Sequence, residues 1–219
     1  MPGYSQLLDT AERWRAMPGL ERVAGGAAIT FDDGPDPAGT PAILDALDAA
    51  GIRATFFLVG EQLMRHHAIA REAAARGHEL ALHGFEHVEH DGLRPQAARD
   101  DLARALGSFE AATGGRPRFF RPPYGRFSEA SYDACLHLGL EPVYWSAWGL
   151  DWEPLPAERI ADLVVRDLDD GAVVLLHDSP RYGHRPDAKP TAEAVALIAE
   201  RAKEHDLKLR PLGELAAPS

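Results

Sequence analysis

The 219-residue sequence contains a single cysteine, Cys135, so neither an intrachain disulfide nor a cysteine-based zinc cluster is available to it. Basic residues are also scarce: 23 Lys and Arg against 34 Asp and Glu, for a formal net charge of −11. Binding to phosphate backbones needs a concentrated basic surface, and no basic stretch supplies one, so a nucleic-acid partner is not expected. No apolar run approaches the roughly 20 residues that span a bilayer, which argues against a membrane segment. Residues 1–22 also lack the basic, apolar and small-residue order of a secretory leader. They place Tyr4, Leu7, Leu8, Ala11 and Trp14 at helical spacing among Asp9, Glu12, Arg13 and Arg15, and an amphipathic helix is expected over 1–22. With Met1 as the natural start the expected location is the cytoplasm; a chain trimmed of its leader would be secreted. Repeats, low-complexity tracts and linkers are missing too, so residues 1–219 are expected to form one domain.

What is present is an alternation of short apolar runs with helical stretches. Strands are predicted at 27–31, 54–59, 78–82, 118–121, 141–146, 172–176 and 207–210. Their near-continuous apolar or aromatic character suits strands covered on both faces. Helices are predicted near 41–50, 61–76, 95–113, 128–138, 156–168 and 191–205, with Thr40, Ser128 and Thr191 read as start signals. Strands separated by helices predict parallel pairing with right-handed crossovers. A closed (β/α) barrel usually needs about 250 residues. This length therefore predicts a distorted or incomplete (β/α) barrel with about seven parallel strands, a doubly wound open sheet being the alternative.

Polar clusters fall just after the predicted strands: Asp32-Asp33-Gly34-Pro35, His83-Gly84-Phe85-Glu86-His87, Arg121-Pro122-Pro123-Tyr124, Asp151-Trp152 and Leu175-Leu176-His177. Each has a plain reading as a turn, a stiff loop or a core histidine. In parallel α/β folds, however, the carboxyl ends of the strands share one face, and that face carries the active site. Brought together, one carboxylate and two imidazoles suit a catalytic metal site with a position left for water. A second aspartate could take the proton of that water, a nearby arginine could orient it, and a separate histidine could protonate a leaving group. That is a kit for metal-assisted hydrolysis of an amide or ester.

These clusters resemble the motifs of the polysaccharide deacetylases of carbohydrate esterase family four, in their order and over about 150 residues: Thr30 to Pro35, His83 to His87, Arg121 to Tyr124, Asp151-Trp152 and Leu175 to His177. The resemblance implies Asp32 as general base, with Asp33, His83 and His87 as metal ligands. It implies Arg121 as the partner orienting Asp32, the Tyr124 backbone N–H as an oxyanion donor, His177 as general acid and Asp151 as the carboxylate tuning it. Trp152 and Leu175 would wall the pocket for an acetyl methyl. The implied cofactor is one divalent ion, zinc first, with cobalt, nickel or manganese also suited to such a site. Two positions depart from the family pattern: Gly84 stands where members usually carry Ser or Thr, and Trp148 where an aspartate is common.

Further residues have two readings. His90 rivals the 83/87 pair as a ligand, while Glu86 and Glu89 read as solvated. Trp145, Trp148 and Trp152 could stack on a sugar ring, with core packing the alternative for Trp145. The long stretch 178–190 is either a lid or a surface loop. The expected substrate is an acetylated carbohydrate, carrying N-acetyl or O-acetyl groups, or a small N-acyl compound. The alternative function is a related amidohydrolase or deformylase acting on a small non-polymeric amide, and a metal-free binding protein is the third class. A leaderless chain weighs toward a smaller intracellular substrate.

Overall fold

The computed structural model describes residues 17–217. In chain order the elements are β1 (Ala27–Asp32), α1 (Thr40–Ala50), β2 (Thr55–Leu58), α2 (Gly60–Ala75), β3 (Glu79–Leu82), α3 (Pro95–Thr113), β4 (Phe119–Phe120) and α4 (Glu129–His137). They continue with β5 (Glu141–Pro142), β6 (Ala147–Trp148), α5 (Ala157–Arg166), β7 (Val173–His177), α6 (Lys189–Glu204), β8 (Leu209–Arg210) and the short α7 (Leu212–Leu215). The strands pair in parallel along the path β5-β4-β3-β2-β1-β7-β6, with β8 alongside the start of β1. Helices pack outside, α5 and α1 against α6 and α3 between α2 and α4. The result is an incomplete (β/α) barrel.

Its interior follows from the apolar runs. All six residues of β1 are buried, and Phe31 stacks on Phe56 with ring centroids 5.3 Å apart. Phe57, Phe119 and Phe120 are likewise fully buried. Burying an aromatic or branched side chain stabilises by about 1.5–3 kcal/mol, so strands apolar on both faces are held between the barrel interior and the helix layer.

Three local expectations are corrected. The predicted helix 1–22 lies outside the described residues as far as residue 16, and residues 17–22 are not helical: Leu20 bridges to Val143 and Arg22 to Ala172. Pro18 and Gly19 account for this, since proline resists helix interiors and Gly19 runs so close to Tyr144 that an added Cβ would sit 2.7 Å from its ring. The predicted strand 141–146 divides into β5 and β6, which occupy opposite edges of the sheet. Between them Val143 and Tyr144 turn toward Leu20, and Ser146 bonds to Val173; this crossing marks the open side of the barrel. Finally, α1 starts at Thr40 and α4 just after Ser128 as read, but α6 starts at Lys189, ahead of Thr191, and of the three signals only Ser128 forms a capping box, with Ser131. Thr40 and Thr191 instead donate their hydroxyls to Asp178 (2.5 Å) and Asp151 (2.8 Å). Among the described residues, no helix is long and apolar enough to cross a membrane.

Candidate active site

The register of the sheet delivers the chemistry. Asp32 ends β1 and His177 ends β7, and the two are direct partners across adjacent parallel strands. His83 follows β3 and Arg121 follows β4, each extending its ladder by one backbone bond, to Leu58 and Leu82. Asp151 lies three residues beyond β6. The strand-end clusters therefore meet on one face.

Asp32 is held from behind. The fully buried Arg121 donates from Nη1 to Asp32 Oδ1 at 2.7 Å and to Thr30 Oγ1 at 2.8 Å, and from Nη2 to the Tyr144 carbonyl at 2.8 Å. Its guanidinium lies over the Phe57 ring, 4.1 Å from the centroid. Asp32 Oδ2 faces His83 Nε2 at 3.7 Å.

Asp33 is different. Its backbone has φ 88°, a left-handed conformation uncommon outside glycine, and Oδ1 is buried with no hydrogen bond. Nε2 of His87 lies 3.1 Å from Oδ1 and Nε2 of His83 lies 3.6 Å away. Burial opposes the charge on Asp33, but His87, His177 and His83 outweigh it and hold the carboxyl well below the usual range. His83 Nδ1 donates to the Arg121 carbonyl at 2.8 Å, which leaves the Nε2 lone pair facing the carboxylates. Burial lowers His83 to about 4, the neutral state a ligand requires. One atom each from Asp33, His83 and His87 lie within 4.8 Å of one another, the one such group among the described residues. An orphaned buried carboxylate oxygen facing two imidazole nitrogens fits a divalent cation.

The rival ligand His90 does not join this group. It is fully buried, with Nε2 3.3 Å from Asp101 Oδ2 and its ring against Phe120. Asp101 in turn accepts from the backbone N–H groups of Phe85 and Glu86, both at 2.9 Å, and so braces the loop between the two candidate ligand histidines. Glu86 and Glu89 are exposed.

On the other side of the site, His177 Nδ1 pairs with Asp151 Oδ1 at 2.8 Å, leaving Nε2 for the cavity. Asp151 is fully buried, and its Oδ2 accepts from the His177 backbone, from Thr191 and from Arg185. Burial works against a charged His177, but Asp151, aided by Asp33 and Asp32, raises it to about 9. Behind it, burial pushes Asp178 up to about 7 even though Thr40 and the Gly34 backbone donate to it.

Asp33, His83, His87, Asp32 and His177 line one cavity of about 370 Å³, with Trp145, Trp148, Trp152 and Leu175 along its walls. The tryptophans follow one another at 5.9 and 5.5 Å between ring centroids, and Trp152 meets His177 edge-on. Trp145 and Trp148 are nearly buried, so they pack and line the cavity at once. Tyr124, in a left-handed turn with φ 59°, forms another part of the wall. Arg121 and Asp151 stand behind the surface. Tyr182 lies in the 178–190 stretch read as a lid or a surface loop, and it lines the cavity. The roles of Arg185, Thr191 and Asp178 around His177 and Asp33 had no sequence signal beyond the length of that stretch and the reading of Thr191 as a helix start.

The polysaccharide deacetylase family profile matches residues 22–143. The chain belongs to the polysaccharide deacetylase family. Its curated relatives are named deacetylases of peptidoglycan and chitooligosaccharide, and with them the chain is an enzyme, a carbohydrate deacetylase. A chitooligosaccharide deacetylase of Azorhizobium caulinodans is 36% identical over 194 residues, covering 84% of this chain and 91% of the relative. Among solved polysaccharide deacetylases, the Bc1960 peptidoglycan N-acetylglucosamine deacetylase superposes with a TM-score of 0.85 at 26% identity, covering 100% of this chain and 99% of that one. An acetyl xylan esterase from Clostridium thermocellum, solved with a cobalt ion, gives a TM-score of 0.77 at 32% identity, covering 86% and 88%.

Proposed function

We propose that this polysaccharide deacetylase is a metal-dependent N-deacetylase that hydrolyses the acetamide of an N-acetylated aminosugar residue, releasing acetate and a free amine. The observation carrying this reading is the convergence of an orphaned Asp33–His83–His87 group, Asp32 and a carboxylate-tuned His177 on one cavity. Similarity to relatives named for peptidoglycan and chitooligosaccharide substrates supports the aminosugar.

Asp33, His83 and His87 would hold the ion, zinc or cobalt suiting a carboxylate-plus-imidazole set. When bound, a divalent cation supplies Lewis-acid chemistry, polarising an acyl carbonyl and acidifying water. The chain's own groups do the rest. Asp32, fixed by Arg121, takes a proton from the attacking water as its oxygen bonds to the acyl carbon. The backbone N–H of Tyr124 stabilises the developing oxyanion. His177 then donates its Nε2 proton to the nitrogen as the C–N bond breaks, and Asp151 steadies the imidazolium until that transfer. Leu175 and Trp152 enclose the acetyl methyl, and the tryptophan wall offers faces to the sugar ring. At about 370 Å³ the cavity is at the small end for ligand sites, so it admits one acetylated residue with its neighbours outside.

The test is acetate release from N-acetylated chitooligosaccharides, peptidoglycan fragments, acetylxylan and small formyl amides. Acetate from an N-acetylated oligosaccharide, abolished by chelator and restored by zinc or cobalt, is the expected result. Activity confined to formyl amides, or indifferent to chelator, overturns the proposal.

A further inference from the structure

The two candidate ligand histidines are held by different means. Nδ1 of His83 is fixed by the Arg121 carbonyl. Nδ1 of His87 is buried and has no hydrogen-bond partner. Metal-binding imidazoles ordinarily have their second nitrogen tied down, because a ligand ring that can rotate holds its ion poorly. Nothing in the adjacent loop does this for His87. Gly84 carries no hydroxyl, and with φ +82° an added Cβ there would lie 3.1 Å from the Glu86 carbonyl and 3.2 Å from Asp101 Oδ2.

What does hold His87 is aromatic. The Tyr182 ring lies face to face with the imidazole, with centroids 4.0 Å apart and planes within 8°, while Tyr124 meets it edge-on at 4.6 Å. Tyr182 belongs to the connection between β7 and α6. Its hydroxyl accepts a bond from Nε2 of the buried Gln62 at 3.3 Å. The same connection is pinned on either side: His184 N donates to the Trp152 carbonyl at 2.7 Å, and Arg185 donates to the carbonyls of His177 and Ser179.

From this we infer that Tyr182 is a positioning residue for His87, fixing the plane of the ligand ring by stacking where no hydrogen bond does so. The β7–α6 connection thereby contributes to metal retention. This rests on the reading of Asp33, His83 and His87 as ligands. A stacked aromatic pair is worth about a two- to tenfold factor in an equilibrium, and that is the scale expected here.

The experiment uses the full chain with Tyr182→Leu, Tyr182→Phe and His87→Ala. Zinc affinity is read by competition with a chromophoric chelator, and ligand geometry by the visible bands of the cobalt-loaded protein. Thermal melts of the metal-free variants check that folding is unaffected. Expected are a two- to tenfold loss of zinc affinity and altered cobalt bands in Tyr182→Leu, with Tyr182→Phe close to the parent because it retains the ring. If Tyr182→Leu matches the parent while His87→Ala has lost its metal, the positioning role is wrong and the ligand set stands. Equal losses in the Leu and Phe variants also overturn it, since the hydroxyl and not the stack would then be responsible. Parental zinc affinity in His87→Ala removes the ligand reading and this inference with it.

Discussion

Two buried aspartates, Asp33 lining the cavity and Asp151 behind its His177 wall, are treated in opposite ways. Asp33 has an oxygen without a hydrogen bond, facing imidazole nitrogens at 3.1 and 3.6 Å. Asp151 has both oxygens committed, to His177, Thr191 and Arg185. An unsatisfied buried carboxylate is costly unless something charged completes it, so the first arrangement suits the cation proposed for it. The second is complete without one and exists to hold an imidazole. Hydrogen-bond saturation, more than burial, thus separates the proposed ligand from the proposed tuning group.

The sharpest way to break this contrast is at Asp32 and the ligand group. Asp32→Asn is expected to lower turnover by about 10²–10⁴-fold, the usual worth of a general base, while zinc stoichiometry stays intact. His83→Ala should lose both metal and activity. Metal analysis alongside acetate release decides; near-normal activity in zinc-loaded Asp32→Asn would mean the base is elsewhere.

Next in size is the proton-donating side. In the proposed mechanism His177 acts protonated, and its value is raised to about 9, so activity should be retained through neutral pH and fall as pH rises toward 9. A bound cation offsets the Asp33 contribution and draws that limb somewhat lower. Asp151→Asn removes the main source of the upward shift and leaves only the smaller pull of Asp33 and Asp32 against burial, so the basic limb should move down toward neutrality. A pH–rate profile in which both proteins share the same limb would remove Asp151 from its tuning role.

Arg185→Met should have the smaller and opposite effect on that limb. It removes a positive charge near His177, which favours the imidazolium and shifts the limb slightly upward. It also leaves buried acceptors unpaired, at about 1–3 kcal/mol of stability, readable as a lowered melting temperature. The least effect on chemistry is expected of Asp101→Asn, which weakens the bonds to Phe85 and Glu86. A lower melting temperature with most of the turnover retained would assign Asp101 to the loop, whereas loss of metal would place it closer to the ligand function.

The ligand side was far more legible in the sequence than the proton-donating side. Asp33, His83 and His87 lie in compact motifs directly after β1 and β3, where short apolar runs announce the strands. Arg185 had no such signal: it stands 34 residues from Asp151 in an irregular connection. Thr40 and Thr191 read as helix starts because Ser and Thr favour those positions; a helix does begin at Thr40, but tertiary acceptors recruited both hydroxyls. His90 had ligand-like spacing, and only its burial against Asp101 and Phe120 removes it from the group. Trp148, standing where relatives often have an aspartate, reads in isolation as a defect; in the fold it links Trp145 and Trp152 in the cavity wall.

By itself the sequence determined the strand-and-helix alternation, the order of the polar clusters and the face on which they meet. These follow from periodicity and from the parallel pairing that crossovers impose. Only the tertiary structure decided which of the assembled groups are satisfied and which are left open. Hydrogen-bond partners such as Arg121 and Asp32, or Arg185 and Asp151, come from separate strands and loops. Whether a buried oxygen finds a donor depends on that packing, and it is the unmatched oxygen of Asp33 and the unmatched nitrogen of His87 that distinguish this site.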